Sequence, residues 1–125
     1  MSIRRVVPNV RARHGADSRA FYVDVLGLEL VMDMDFIKTF ASPSNPTAQV
    51  SVVDASPAGP YPDLTIEVAD VDAAYTRARE RGVEIVYPLT DEPWGVRRFY
   101  AREPNGAVIN VMMHRAVETG TARAS

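Results

Sequence analysis

Short runs of alternating hydrophobic and polar residues predict β-strands along most of this chain, and two stretches with helical spacing interrupt them. In the first half, Asp17 or Ser18 can cap a helix that ends at Gly27, a residue suited to a left-handed terminator. Strand-like runs precede and follow this helix, at residues 6–12, 28–32, 36–41 and 48–53. The first half is therefore predicted to be β-α-β-β-β.

The second half repeats this order after the Pro/Gly-rich stretch 54–62, which we interpret as a linker. Asp70 can cap a helix that ends at Gly82. Strand-like runs lie at residues 63–68, 83–87, 96–102 and 107–114, and a small polar tail follows at 115–125. The second half is also predicted to be β-α-β-β-β, and the tail is expected to be flexible.

The two halves also match in sequence. Gly27-Leu28-Glu29-Leu30-Val31 corresponds to Gly82-Val83-Glu84-Ile85-Val86, at an offset of 82 − 27 = 55 residues. Such a repeat predicts two modules that must associate within the chain or between chains. We expect one domain over residues 1–114, with module one at about 3–53 and module two at about 63–114.

Composition and charge exclude several classes of function. The 125 residues carry 14 basic and 16 acidic side chains, so a net charge of −2 gives no basic surplus for nucleic acid. The sequence has no cysteine, which removes thiolate chemistry and Cys-based zinc sites. No apolar run has the length of a membrane span. We expect a cytoplasmic protein without nucleic-acid or membrane partners.

Three groups of residues resemble a known family. They are Ser18-Arg19-Ala20-Phe21-Tyr22 with Leu26-Gly27-Leu28, then Val68-Ala69-Asp70-Val71-Asp72-Ala73-Ala74, and then Glu92-Pro93-Trp94-Gly95-Val96-Arg97-Arg98-Phe99-Tyr100 leading into Glu103-Pro104-Asn105-Gly106. In order and spacing, the chain resembles the vicinal oxygen chelate superfamily, the glyoxalase/bleomycin resistance/dioxygenase proteins, from about Ile3 to His114. The resemblance implies an α+β fold in which two βαβββ modules form a cupped mixed sheet, assembled as a homodimer.

The same resemblance gives the positions at which catalytic members carry metal ligands. They match Val7, Ser51, Asp63 and Asn110, with Asn9 as the nearest polar alternative on the first strand. Valine has no lone pair to donate, and serine and asparagine are weak ligands beside imidazole or carboxylate. Of the two histidines, His14 and His114, His114 with Asp63 is a conceivable start of a two-ligand site, and the sequence offers no obvious third ligand. We therefore expect no metal and no cofactor.

Strand alternation predicts which side chains line the cup. Leu64, Ile66 and Val68 should cover the helix, which leaves the opposite face for Asp63, Glu67, Arg98, Tyr100, Asn110 and Met112, with Trp94 at the rim. The place of Tyr100 follows from the resemblance to fosfomycin-resistance members, and a slip of one residue would present Arg97 and Phe99 instead. Arg98 could alternatively pair internally with Asp63 or Glu67. Module one offers Phe36, Phe40, Gln49 and Ser51 as the opposing wall.

Two classes of function remain open at this point. The first is a metal-free binding protein of the drug-sequestering type, which takes a small aromatic or anionic molecule. The second is a lyase, isomerase or dioxygenase that uses an atypical metal, or Asp63 or Glu67 as a general base whose pKa is raised by burial. The unfavourable ligand set favours the binding protein.

Overall fold

The computed structural model describes residues 2–12, 18–34, 36–54 and 61–115. His14, Asp17, most of the expected linker and the tail beyond Arg115 lie outside these residues. The strands are β1 Ile3–Arg11, β2 Glu29–Asp33, β3 Ile37–Ala41, β4 Gln49–Val53, β5 Leu64–Val68, β6 Ile85–Glu92, β7 Val96–Arg102 and β8 Val108–His114. A π-helix spans Ala20–Val25, and an α-helix, α1, spans Val71–Glu80.

The chain packs as two compact units, and the division falls within β1. The first unit holds residues 7–61, and the second holds residues 1–6 together with the chain from residue 62 onward. The strand order is β2-β3-β4-β1 in the first unit and β6-β7-β8-β5 in the second. The two orders are the same, so the internal repeat in the sequence corresponds to a repeated topology.

In the first unit, β4 pairs with β3 in antiparallel and with β1 in parallel orientation. The π-helix packs through Tyr22, whose ring stacks on the fully buried Phe40 with 5.1 Å between ring centroids. The π-helix has no side-chain cap at Arg19, so Ser18 is not observed in the predicted capping role, and Asp17 lies outside the described residues. Gly27 follows with a φ of 77°, a left-handed conformation that favours glycine.

In the second unit, α1 packs on one face of its strands. Asp70 caps the helix as predicted, because its side chain accepts a hydrogen bond of 3.1 Å from the backbone of Ala73. The core is formed by Val68, Val71, Phe99 and Ala101, with Ile66, Ala74, Tyr75, Ala78, Ile85, Leu89, Val111 and Met113 packed against them. Burial of this apolar surface is the main force that holds the helix on the sheet.

The α+β class and the repeated βαβββ order are confirmed. The largest difference from the predicted bounds is β6, which extends to Glu92 rather than ending at Tyr87. Its pairing with β7 shifts register on both sides of Tyr87, and these irregularities carry the strand past Pro88. None of the helices in the described segments has the length and apolar character needed to cross a bilayer.

Candidate functional site

The candidate site lies on the face of the second unit's sheet opposite α1, which we call the polar face. Ile66, Phe99 and Val111 point to the helix core, so their strand neighbours occupy the other face. The polar face carries Thr65, Glu67, Arg98, Tyr100, Asn110, Met112 and His114. The strands therefore place Arg98 and Tyr100, rather than Arg97 and Phe99, on the face opposite the helix.

Strand register arranges these side chains in rows. Asn110 is paired with both Thr65 and Tyr100 across its neighbouring strands. Met112 is likewise paired with Glu67 and Arg98. Since directly opposite side chains on one face lie about 4.5–5.5 Å apart at Cβ, residues from three strands come within reach of one small molecule.

Arg98 is held by one carboxylate and surrounded by aromatic rings. Its Nε donates to Oε2 of Glu92 at 2.7 Å, and the same oxygen accepts from the Tyr87 hydroxyl at 2.9 Å. The guanidinium carbon lies 5.5 Å from the ring centroid of Tyr87, 5.3 Å from Trp94 and 5.1 Å from Tyr100. These distances allow cation–π attraction to each ring. The glutamate bond uses one of the five guanidinium N–H groups and fixes the orientation of the fork.

Arg98 does pair internally, as the open alternative had it, but with a different carboxylate. Its partner is Glu92 on β6, and neither Asp63 nor Glu67 takes that place. Trp94 occupies the turn between β6 and β7, where Gly95 has a φ of 86° and bonds back to Glu92. The indole therefore packs beside the Arg98 guanidinium.

Tyr100 and Asn110 supply the buried polar groups of the face. Burial raises the pKa of the Tyr100 phenol above its usual value, although the Arg98 charge opposes this, so the hydroxyl is a hydrogen-bond donor at neutral pH. Asn110 is 7% exposed and donates from Nδ2 to the Thr65 hydroxyl at 3.2 Å. Its Oδ1 is buried and accepts no hydrogen bond. Buried acceptors nearly always have a donor, so this atom requires one from a water or a ligand.

Neither Asp63 nor Glu67, the two carboxylates considered as general bases, has the environment expected for that role. Asp63 is exposed just before β5, and its Oδ2 accepts from the Val108 backbone at 2.9 Å, so it stabilises the strand end. Glu67 lies deeper. Desolvation would raise the pKa of Glu67, but hydrogen bonds from His114 and Arg5 and their charges outweigh it and hold that pKa below its usual value. The expectation of a raised pKa is therefore wrong for Glu67, and its carboxylate is a weak base.

The residues at the family's metal-ligand positions do not fit a transition-metal centre. Val7 is an aliphatic side chain only 3% exposed, and Ser51 is buried with its hydroxyl 2.8 Å from that of Thr39. Asp63 is bonded to backbone, and Asn110 offers one neutral amide oxygen. Within residues 2–12, 18–34, 36–54 and 61–115, no three His, Cys, Asp or Glu side chains form a group able to hold a metal. Such a centre requires several imidazole or carboxylate ligands.

The first-unit residues expected to line the opposing wall differ in burial and in their contacts. Phe40 is fully buried against Tyr22, and Ser51 is buried with Thr39. Phe36 is 45% exposed, and Gln49 donates to the backbone carbonyl of Pro46 at 2.8 Å. Phe40 and Ser51 therefore act in the packing of their own unit.

Three residues of the polar face are absent from the set predicted from sequence: Arg5, Tyr87 and Glu92. Arg5 precedes the predicted start of the first strand, and its Nε donates to Glu67 Oε1 at 2.6 Å across 62 residues of chain. Tyr87 and Glu92 were assigned to a strand end and a loop. Residues 90–92 are all polar, so the sequence contains no alternation there to indicate that the strand continues.

Comparisons with known proteins agree with this fold. The sequence model of the Glyoxalase/Bleomycin resistance protein/Dioxygenase superfamily matches residues 3–111. No curated protein matches the chain. A solved structure of a superfamily member from Vibrio splendidus 12B01 is 19% identical, covers 90% of this chain and 99% of that one, and has a TM-score of 0.68.

Two enzymes with solved structures share the fold at similar distance. Methylmalonyl-CoA epimerase from Mycobacterium tuberculosis is 22% identical, with coverage of 96% of this chain and 91% of that one and a TM-score of 0.64. An extradiol ring-cleaving dioxygenase from B.fuscum is 21% identical, with coverage of 93% and 34% and a TM-score of 0.67. At these identities the likeness concerns the fold alone.

Proposed function

The chain belongs to the glyoxalase/bleomycin resistance/dioxygenase superfamily, and from this premise we propose that it binds a small aromatic molecule with an anionic group, without using a family-type metal. The observation that carries the proposal is the buried Asn110 Oδ1, which has no hydrogen-bond donor in the row that Asn110 forms with Thr65 and Tyr100. A ligand donor at this atom would remove a desolvation cost of about 1–3 kcal/mol.

The neighbouring side chains suit both the aromatic ring and the anionic group of the proposed ligand. The aromatic rings of Tyr87, Trp94 and Tyr100 around Arg98 offer surfaces for a planar molecule. The Arg98 fork and the Tyr100 hydroxyl can donate to a carboxylate or phenolate oxygen. An aromatic acid combines these requirements. The form of binding that we propose is sequestration of a drug-like compound, because the metal-ligand positions of this family carry unsuitable residues here.

The enzyme alternative receives less support. A carboxylate general base should have a raised pKa, whereas Arg5 and His114 lower that of Glu67. The ligand positions of metal-dependent relatives carry Val7, Ser51, Asp63 and Asn110, whose donors are too few and too weak. Binding is therefore the proposed function.

The test is a fluorescence titration of Trp94, the single tryptophan of the chain. The probes are benzoate, 4-hydroxybenzoate and 2-naphthoate, with toluene as the uncharged comparison. We expect the acids to bind and Arg98→Ala to weaken binding about ten- to a hundredfold, because a charge-assisted hydrogen bond contributes about 1.5–3 kcal/mol. Tyr100→Phe should weaken it less.

Arg97→Ala is the matched control, because Arg97 is the adjacent arginine on the other face and pairs with Asp72 and Asp91. Arg98→Lys keeps the charge but loses the fork, and circular dichroism checks that each variant is folded. If no acid binds, or if Arg98→Ala binds as tightly as Arg97→Ala, the proposed function is wrong.

We also propose that the chain forms a homodimer. Support comes from large apolar side chains that remain exposed on β1 and the π-helix, namely Ile3, Val6, Val10, Phe21, Val25 and Leu26. Light scattering at micromolar concentration should give twice the 13.8 kDa chain mass. A monomer would contradict this.

A further inference from the structure

Arg5, Glu67 and His114 form a polar cluster at one end of the polar face, contributed by β1, β5 and β8. Arg5 Nε donates to Glu67 Oε1 at 2.6 Å, and His114 Nδ1 lies 3.1 Å from Glu67 Oε2. The side chains are 16%, 15% and 11% exposed, respectively. Both oxygens of the carboxylate therefore have a partner in a largely desolvated setting.

This geometry determines the tautomer of His114. The two hydrogen bonds and the Arg5 charge keep Glu67 ionised, and an ionised carboxylate only accepts hydrogen bonds. Nδ1 must therefore carry a hydrogen, which leaves the lone pair of a neutral imidazole on Nε2. In the described part of the chain, no hydrogen bond from a side chain or backbone group to Nε2 accompanies the one at Nδ1. In the neutral imidazole, Nε2 can therefore accept a proton from a bound molecule.

His114 faces a balanced set of charges. Glu67 from β5 contacts His114, and the same face carries Arg5 from β1 paired with Glu67, and Arg98 from β7 paired with Glu92 from β6. Two positive and two negative charges cancel when the imidazole is neutral. A proton on His114 would leave one positive charge in excess, and an anion bound beside it would restore the balance.

Arg98 and His114 are diagonal neighbours on this face. Arg98 is paired with Met112, and His114 lies two residues farther along the same strand. Diagonal positions are about 7–8 Å apart at the backbone, which is the span of one aromatic ring with a substituent. A single ligand can therefore reach both side chains.

We propose that His114 Nε2 is a proton-accepting subsite for a weakly acidic hydroxyl group, such as a phenol, on the ligand of the polar face. The inference rests on the proposed function and specifies its ligand class. On binding, the ligand O–H bond breaks, its proton forms an N–H bond at Nε2, and the phenolate oxygen remains paired with the imidazolium. Glu67 is a positioning residue that holds the ring and stabilises its charge.

The test uses 4-nitrophenol, because its phenolate absorbs visible light and its phenol form does not. At a pH where the free probe is mostly protonated, adding the full-length protein should increase the phenolate absorption. His114→Gln should abolish this increase and weaken binding about tenfold, while the binding that remains still depends on Arg98. Glu67→Gln should reduce the increase. Glu84→Gln, which alters an exposed carboxylate paired with Arg102, is the matched control and should behave as wild type.

Calorimetry of the unmodified protein in two buffers of different ionisation enthalpy gives an independent result. Transfer of the proton to His114 predicts almost no net proton release, whereas capture of phenolate without an acceptor releases about one proton per molecule bound. Proton release, or an unchanged phenolate signal in His114→Gln, would overturn the subsite. If benzoate binds but 4-nitrophenol does not, the subsite alone is wrong. If neither binds, the proposed function fails with it.

Discussion

The two units share one strand order but differ in what their equivalent positions carry. Asn110 pairs with Thr65 and Tyr100 in the second unit, and Ser51 pairs with Asn9 and Thr39 in the first. The offsets are 65 − 9 = 56, 110 − 51 = 59 and 100 − 39 = 61, so the two rows correspond. The repeated scaffold thus presents two versions of the same three positions.

In the first-unit row, the hydroxyl groups of Ser51 and Thr39 form a hydrogen bond with each other. The hydroxyl groups of Ser51 and Thr39 lie 2.8 Å apart and are both buried. In the second unit the corresponding Asn110 keeps a buried acceptor without a donor, and Tyr100 lies beside a guanidinium. This difference indicates that the row in the first unit serves packing. The row in the second unit keeps a buried polar atom without a partner, which is typical of a binding site.

The helices differ in the same direction. In α1, Asp70 caps the first turn and Val71 is fully buried. The π-helix has no side-chain cap and no buried residue, and its Phe21 is 52% exposed. The unit with the polar face therefore also has the better anchored helix, as a precise site requires.

The largest expected effect tests whether the stability of each unit depends on one buried phenylalanine ring of its own. Phe99 lies against Tyr75 in the second unit and Phe40 against Tyr22 in the first, and both phenylalanines are at most 2% exposed. Phe99→Ala and Phe40→Ala should each lower the free energy of unfolding by about 3–5 kcal/mol. Urea denaturation measures this. Phe36→Ala is the control and should cost under about 1 kcal/mol, because this side chain is half exposed. A small loss for Phe40→Ala would mean that the first unit has no comparable core.

The next effect concerns Glu92, a buried carboxylate of the second unit. Glu92 accepts bonds from Arg98 and Tyr87, so Glu92→Gln should lower the free energy of unfolding by about 1.5–3 kcal/mol. Glu84→Gln, at an exposed ion pair, should change it by less than about 0.5 kcal/mol. Thermal denaturation of the two variants side by side checks this. Equal losses would show that the buried pair contributes no more than a surface pair.

Local signals predicted much of this fold. The Asp70 cap, the glycine after each helix and the alternation along β5, β7 and β8 depend on neighbouring residues, and the structure contains all of them. The first helix differs from the prediction, because it is a π-helix without a buried residue. Its apolar residues have helical spacing whether or not another element covers them. Spacing alone does not determine burial.

The site was less predictable, for a physical reason. The period of a β-strand determines which side of the sheet each residue faces. The sequence therefore predicts that Arg98 and Tyr100 lie on one face, and in the structure this is the face opposite α1. Their partners were not identified, because the Arg5–Glu67 contact spans 62 residues and depends on strand order. The Arg98–Glu92 contact depends instead on an irregular strand that passes Pro88. Neither feature leaves a periodic trace in one sequence.

A smaller effect compares the starts of the two helices. Asp70→Ala removes the cap of α1 and should lower the free energy of unfolding by about 1 kcal/mol. Ser18→Ala is the corresponding change before the π-helix and should have little effect, since no side chain caps that helix. Equilibrium urea denaturation gives both values. A loss for Ser18→Ala equal to that for Asp70→Ala would show that the π-helix is capped in solution.

The last prediction distinguishes the two units by how the effect of a substitution on stability depends on pH. Because the pKa of Glu67 is lowered in the folded chain, its contribution to stability is fully present above the ordinary carboxylate value and is lost as the pH falls through the lowered value. The difference in unfolding free energy between wild type and Glu67→Gln should therefore shrink below about pH 4.5, the ordinary value for glutamate. The row of Asn9, Ser51 and Thr39 contains no titratable group, so the loss caused by Ser51→Ala should stay constant over the same range. Urea denaturation at several pH values, with the Glu67 carboxyl carbon followed by NMR, measures both. A constant Glu67→Gln difference, or a carboxyl midpoint above the ordinary value, would mean that Arg5 and His114 do not outweigh the cost of burying this carboxylate.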